Sequence, residues 1–356
     1  MTKRRIDKLR EKMEVQALIV TDQTNIRYLT GYRGDNGVLL VTEEEVTLIT
    51  DSRYEESSKQ EVKGAEIVIT NDGIFEKLMM LSQFKKIKKV GFERENIKYS
   101  THEKLKQSLK DKELIPVSNL VEELRTKKDE GEIKLIKKAC GIGNMVLQEV
   151  LKKISLRSTE KDISAEIEFL IKRYGGDKQS FDTIVAAGDN SALPHAIPTD
   201  RKIDNENILL IDMGVFCNDY ASDMTRTFLL RKGEKEKEIY RIVSEAQKRA
   251  IEALKAGIEL KEIDRIARDY ISDNHYGKNF GHSLGHGVGL SVHELPRVSN
   301  KSTYKAEEGM VFSIEPGVYI PGYGGVRIED LILITQTGYE VITKSPGASA
   351  EVITEL

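Results

Sequence analysis

The sequence predicts an α/β protein in two parts: an N-terminal α/β domain over residues 1–126, and an α+β domain over residues 127–356 built as a pseudo-two-fold repeat. Three observations carry this reading. A chain of 356 residues exceeds the usual size of a single hydrophobic core. Near residue 127, short β-rich runs give way to long amphipathic helices. Beyond Leu230 the order of helix, helix and strands begins again, and each round ends on a carboxylate just ahead of a glycine.

In the first part, the runs Ala17 to Thr21, Val38 to Thr42, Val46 to Thr50, Glu66 to Thr70 and Val90 to Glu93 are rich in β-branched residues. They read as strands between helical stretches. The histidine of this part, His102, has no clustered carboxylates beside it, so the domain reads as scaffolding, assembly or access control. From Glu130 onward, Ile133, Ile136, Cys140, Leu147 and Ile154 recur at near multiples of three or four, the spacing of one helix face. A second helix is predicted from about Thr159 to Tyr174, stopped by Gly175 and Gly176. Strands then lead into Asn207-Ile-Leu-Leu-Ile-Asp212-Met-Gly-Val-Phe216. The second round has a helix through Ile239, Ile242, Ala246, Ala250 and Leu254 and another through Ile263, Ile266 and Ile271. It closes on Gly309-Met-Val-Phe-Ser-Ile-Glu315-Pro-Gly-Val-Tyr319.

Composition narrows the class of partner. With 39% hydrophobic and 32% charged residues and only 7 prolines, the chain is neither disordered nor fibrous. Lys and Arg (55) nearly cancel Asp and Glu (58), so nothing in the charge favours nucleic acid or an acidic membrane, and a small substrate fits better. The basic runs Lys3 to Arg5 and Lys85 to Lys89 are short and read as solvated surface. Cys140 and Cys217 form no disulfide framework, no apolar run is long enough to cross a bilayer, and the charged stretch Thr2 to Met13 lacks a signal core. Together these predict a cytoplasmic protein that is neither exported nor anchored.

The chemistry is expected where the two rounds align. Asp212 and Glu315 each precede a glycine, and each is followed by a second strand bearing another acid, Asp223 or Glu329. These acids sit in or beside apolar strands, where an unpaired carboxylate would cost several kcal/mol. Taken singly, each could be a strand-end partner of a nearby arginine, Asp223 with Arg226 or Glu329 with Arg327. Their matching positions favour a shared set instead. Phe280 to Arg297 holds three of the six histidines. His293-Glu294 invites a zincin reading, but the second histidine of HExxH is missing, Pro296 follows, and the upstream glycines oppose a helix. Gly281, Gly285, Gly287 and Gly289 instead let backbone lie close to a site that His286 can reach. Divalent cations take carboxylate oxygen, and the later transition metals also take imidazole. The predicted ligand set is therefore Asp212, Asp223, His286, Glu315 and Glu329. His282 remains open between a catalytic role and a hydrogen bond that supports its loop.

The motifs Asp212-Met-Gly, Ser222-Asp223-Met-Thr-Arg-Thr227, Gly285-His286-Gly-Val-Gly289, His293-Glu294-Leu-Pro296, Glu315-Pro-Gly-Val-Tyr319 and Gly325-Val-Arg-Ile-Glu329-Asp330 resemble one enzyme family. It is the creatinase and prolidase branch of metallopeptidase family M24, which has the pita-bread fold. Asn25-Ile-Arg-Tyr-Leu-Thr-Gly31 and Leu124-Arg-Thr-Lys-Lys128 resemble that branch's non-catalytic, creatinase-like N-terminal domain. The resemblance implies two divalent ions, Mn²⁺ first, with Co²⁺, Fe²⁺ or Zn²⁺ as alternatives. Asp212 would chelate one, His286 and Glu315 the other, and Asp223 and Glu329 would bridge them. Glu315 would also shuttle a proton, while His195 and His293 would face the substrate and stabilise the tetrahedral intermediate. A homodimer is implied by the same analogy.

The family also implies cleavage of Xaa-Pro bonds, whose nitrogen carries no proton and whose ring fixes φ. Arg297 is then a candidate to pair with the free carboxylate of a dipeptide's proline, which favours a dipeptidase. A structural Arg297 would leave an aminopeptidase acting on longer Xaa-Pro peptides. A metal-free binding module or creatinase-like hydrolase is the remote alternative, disfavoured because four converging carboxylates would repel one another without cations.

Overall fold

A computed structural model of the chain describes residues 2–155, 157–204, 206–231 and 233–343; residues 344–356 of the second predicted domain lie outside it. The chain divides into two compact units, Met1–Arg125 and Thr126–Leu356. In the first unit a six-stranded mixed sheet runs in the order Glu66–Ile69, Val46–Thr50, Gly37–Thr42, Ala17–Val20, Lys89–Glu93, Glu113–Val117. Ala17–Val20 pairs antiparallel with Gly37–Thr42 and parallel with Lys89–Glu93, and all four of its side chains are buried. The strands expected from β-branched runs are all present. Glu113–Val117 is the additional one: it carries Pro116, which cannot donate to a ladder, and it lies at the sheet edge, where proline is tolerated.

The second unit is built twice over. The helix Glu130–Lys153 opens on a capping box between Asp129 and Glu132, and Glu160–Arg173 opens on one between Thr159 and Asp162. Each box satisfies two amide donors otherwise orphaned at a helix start, and loss of such a cap costs about 1 kcal/mol. This pair covers an antiparallel sheet of Met224–Leu229, Ile208–Met213 and Ile184–Ala187. Ile142, Val146, Ile163, Ile167, Leu209 and Ile211 belong to their common core. The second pair, Glu234–Glu252 and Leu260–Asp273, covers a five-stranded antiparallel sheet ordered Glu294–Val298, Gly285–Gly287, Val311–Ile314, Asp330–Thr335, Gly338–Val341. Here Ile239, Val243, Ile263, Ile271, Phe312 and Ile332 meet.

A polar seam joins the halves. The Glu329 amide donates to the Thr225 carbonyl (3.1 Å), the Thr227 hydroxyl to the Arg327 carbonyl (2.8 Å), and Arg226 Nη2 to Asp330 Oδ1 (2.7 Å). Arg226, itself buried, also donates to the carbonyls of Thr225, Glu329 and Thr343. A buried guanidinium needs such a set of acceptors. Its carboxylate partner is thus Asp330, and not Asp223, the strand-end pairing considered from the sequence.

Candidate metal centre

Asp212 stands near the end of Ile208–Met213, opposite Thr225 in the ladder, and Asp223 lies just before Met224–Leu229. From the other half, Glu315 follows Val311–Ile314, and Glu329 precedes Asp330–Thr335. His286 is the middle residue of Gly285–Gly287. An added Cβ at Gly285 would strike the Ser313 carbonyl oxygen, so glycine permits the close strand approach that brings His286 in.

The side chains converge. Ligand atoms of Asp223, His286 and Glu329 all lie within 4.8 Å of one another. His286 Nε2 is 3.2 Å from Glu315 Oε1 and 3.6 Å from Asp223 Oδ2. The Ser313 hydroxyl links two of them, accepting from the His286 amide (3.0 Å) and donating to Glu315 Oε1 (3.1 Å). Asp212 is held by Arg327, whose Nη2 donates to Asp212 Oδ2 at 2.6 Å. Glu329 Oε2 accepts from the Thr225 hydroxyl at 2.7 Å.

The electrostatics of this set are those of carboxylates crowded out of water. Burial, and then the charges of Asp223, Glu315 and Asp212, hold the Glu329 carboxyl well above its usual range. Asp223 is pushed up likewise, by burial and then by Asp212, and burial raises Asp212 against the pull of Arg327. Burial opposes charge on Glu315 and His286 too, yet their mutual hydrogen bond prevails: Glu315 is held below the usual carboxylate range, and His286 is raised to about 9. Arg327 and His286 thus face four acids. Moreover, among the described residues Asp212 Oδ1 and Glu329 Oε1 are buried without a hydrogen-bond donor. Buried anionic oxygen requires compensating positive charge, and carboxylate with imidazole is a donor set that divalent first-row cations accept. The residues therefore fit a divalent metal site.

Around this cluster lie the residues predicted to meet substrate. The His293 ring packs edge-on against that of His286, with centroids 4.2 Å apart. Burial, and then the charge of His286, lowers its pKa, with His195 and Arg297 adding to the effect and Glu315 opposing it. His195 and Arg297 are both exposed, and Arg297 is the ladder partner of His286. A cavity of ≈ 510 Å³ is lined by Arg297, His282, Lys301, Arg268, Ser299 and Tyr304 among others, with no acidic residue among the described residues of its wall. The His282 ring meets the Ser283 carbonyl (2.7 Å) and the Tyr319 hydroxyl (3.0 Å), which supports the loop.

Two side chains were not singled out from the sequence as part of the site. Arg327 binds Asp212, the Tyr319 hydroxyl (2.8 Å), the Thr225 hydroxyl (3.1 Å) and the Pro194 carbonyl (3.3 Å). It is thus the counter-charge of Asp212, whereas the strand-end reading had paired it with Glu329. Tyr319, pushed up to about 12 chiefly by burial, relays this contact to His282. Their signal was present only as motif positions, because which acid an arginine reaches across the seam depends on the packing of two sheets.

Residues 134–336 match metallopeptidase family M24, and residues 5–127 match the creatinase/prolidase N-terminal domain. The Xaa-Pro dipeptidase of Pyrococcus horikoshii is 40% identical over 96% of this chain and 96% of its own. The solved structure of an Xaa-Pro dipeptidase from Bacillus anthracis is similar with a TM-score of 0.93 and 39% identity, over 97% of this chain and 98% of that one. That of an X-Pro aminopeptidase from Thermotoga maritima is similar with a TM-score of 0.87 and 34% identity, over 96% and 98%. Through its motifs, its repeated fold and these matches, the chain belongs to metallopeptidase family M24, with a creatinase/prolidase N-terminal domain ahead of the peptidase unit.

Proposed function

We propose that this protein hydrolyses the Xaa-Pro bond of dipeptides, using two divalent ions, Mn²⁺ first among the candidates, held by Asp212, Asp223, His286, Glu315 and Glu329. The observation that carries the dipeptide reading is Arg297, exposed, in register with His286 and on the wall of a cavity without acids among its described residues. There it offers a planar fork to the free carboxylate of proline.

Ions bound in such a set supply Lewis-acid polarisation of the scissile carbonyl and a water of lowered pKa. The chain's own groups do the rest. Glu315, oriented by Ser313, takes a proton from the attacking water and passes it to the proline nitrogen as the C–N bond breaks, because that nitrogen leaves as a neutral amine only with a proton gained. His293, whose pKa is lowered by desolvation and by its neighbours, has an imidazole N–H to offer the developing oxyanion. His195 is assigned to the same task from the opposite half of the unit. His195→Ala should lower kcat about a hundredfold with bound metal unchanged. Retained turnover, measured beside metal content, would remove that role.

The decisive comparison is proline release from Leu-Pro against cleavage of Leu-Pro-Gly. Arg297→Ala is expected to cost about a hundredfold in kcat/KM on Leu-Pro and less than about threefold on Leu-Pro-Gly. Equal losses on both would make Arg297 structural. The second reading, an aminopeptidase for longer Xaa-Pro peptides, draws on the same cavity, whose wall also includes Asn300 and Tyr304. Efficient cleavage of Leu-Pro-Gly by the unaltered enzyme would establish it.

We infer a non-catalytic role in assembly or access for the N-terminal unit, and a homodimer in the cytoplasm. Supporting this are Met80 and Tyr99, 69% and 78% exposed on that unit, and the free thiols of Cys140 and Cys217. His102 there packs against Phe92 beside Glu103.

A further inference from the structure

Lys128 and Glu294 form an ion pair at 2.8 Å in which the side chains are only 1% and 5% exposed. Lysine is the cation that shape alone least demands inside a protein, since its ammonium loses strong hydration there. Both partners are firmly placed. The Lys128 amide donates to the Gly309 carbonyl (2.8 Å), Lys127 bridges Met310, and the capping box of Asp129 begins the next helix. The ammonium also donates to the Thr126 carbonyl (3.3 Å).

Glu294 lies where the pair can act on chemistry. It is the residue after His293 and the first of its strand, and it pairs with Gly287 across a bulge that follows His286. Its carboxylate turns back toward the intervening hairpin. Oε2 accepts from the Ser291 amide at 3.4 Å, and a Cβ at Gly289 would collide with the carboxylate, so this glycine exists to admit it. Gly289 in turn accepts from the Ala221 amide (2.8 Å), two residues before Asp223. The hairpin that carries His293 is therefore tied to a carboxylate that pairs with a buried lysine.

We propose that Lys128 and Glu294 are positioning residues for the reaction, holding the His293 imidazole beside His286 by an ion pair that neither touches substrate nor binds metal. The proposal rests on the reading of His293 as a substrate-facing donor. A long side chain reaching from the start of the peptidase unit thereby sets the geometry of a loop more than a hundred residues downstream.

The test is a double-mutant comparison in the full-length, metal-loaded enzyme with Leu-Pro as substrate. Lys128→Met combined with Glu294→Met removes both charges at similar volume, and is measured with and without His293→Ala, with bound metal and Tm recorded for each. With His293 present the pair variant should lose roughly 10- to 100-fold in kcat/KM at unchanged metal content. In the His293→Ala background it should lose no more than about twofold, because its effect travels through that imidazole. Equal losses in both backgrounds, or none in either, would overturn the proposal while leaving His293 in place. An unimpaired His293→Ala enzyme would overturn the proposal and the reading beneath it together. Glu294→Gln, which keeps the shape of the side chain and weakens the pair, gives the same comparison should the double methionine variant fail to fold.

Discussion

Replacing Asp223 by alanine is expected to lower turnover on Leu-Pro by at least about a thousandfold, a loss of ~4 kcal/mol of transition-state stabilisation. The reason is its place in the crowd: it lies within ligand reach of both His286 and Glu329, so its removal takes away an oxygen that two cations would share. Full activity in the variant would sink the two-ion reading. The same electrostatics give the effect of pH and metal on the unaltered protein. Asp223 and Glu329 bind protons more tightly folded than unfolded, because burial and mutual repulsion raise them. For the metal-stripped protein the folded state thus holds extra protons above the ordinary carboxylate pKa, and stability falls as pH rises through the folded values. Cations must displace those protons. Metal affinity should increase with pH, and calorimetry in buffers of different ionisation enthalpy should register proton release.

Arg327→Met should damage the fold of the peptidase unit severely, costing about 3–5 kcal/mol in urea unfolding of the metal-stripped protein. Arg327 is 3% exposed and meets Asp212, Thr225, Tyr319 and Pro194 from one guanidinium. Methionine preserves most of the volume but leaves Asp212 buried beside other carboxylates with no counter-charge. Lysine at this position should recover little, since a point ammonium cannot serve four acceptors spread around a planar fork. Unfolding curves that superpose on those of the unaltered protein would show that Asp212 does not depend on this partner.

Much of this architecture was legible in the sequence because it is periodic. The spacing from Ile133 to Ile154 announced a helix now seen as Glu130–Lys153, and Thr159 with Gly175 bracketed Glu160–Arg173 to within a residue at each end. The matching carboxylate-before-glycine segments led to one cluster because the repeat is real in three dimensions. What escaped was pairing over long separations. Nothing near Arg226 or Arg327 in the chain says that the first binds Asp330 and the second Asp212, or that Lys128 meets Glu294; sheet packing decides those contacts. Glu113–Val117 escaped for a local reason, since its proline argues against a strand unless the strand is known to be an edge.

The seam between the two sheets also bears on how long the molecule survives. Asp212 and Asp223 belong to one half, His286, Glu315 and Glu329 to the other, so the proposed ligand set exists only while both halves are closed on each other. Partial opening of either would forfeit it. Bound ions would then oppose not only global unfolding but the local openings through which proteases cut, by about 2.7 kcal/mol when free metal stands at a hundred times its dissociation constant. Turnover of the protein in the cell would in this way follow its metal supply, and a metal-starved enzyme would be cut sooner.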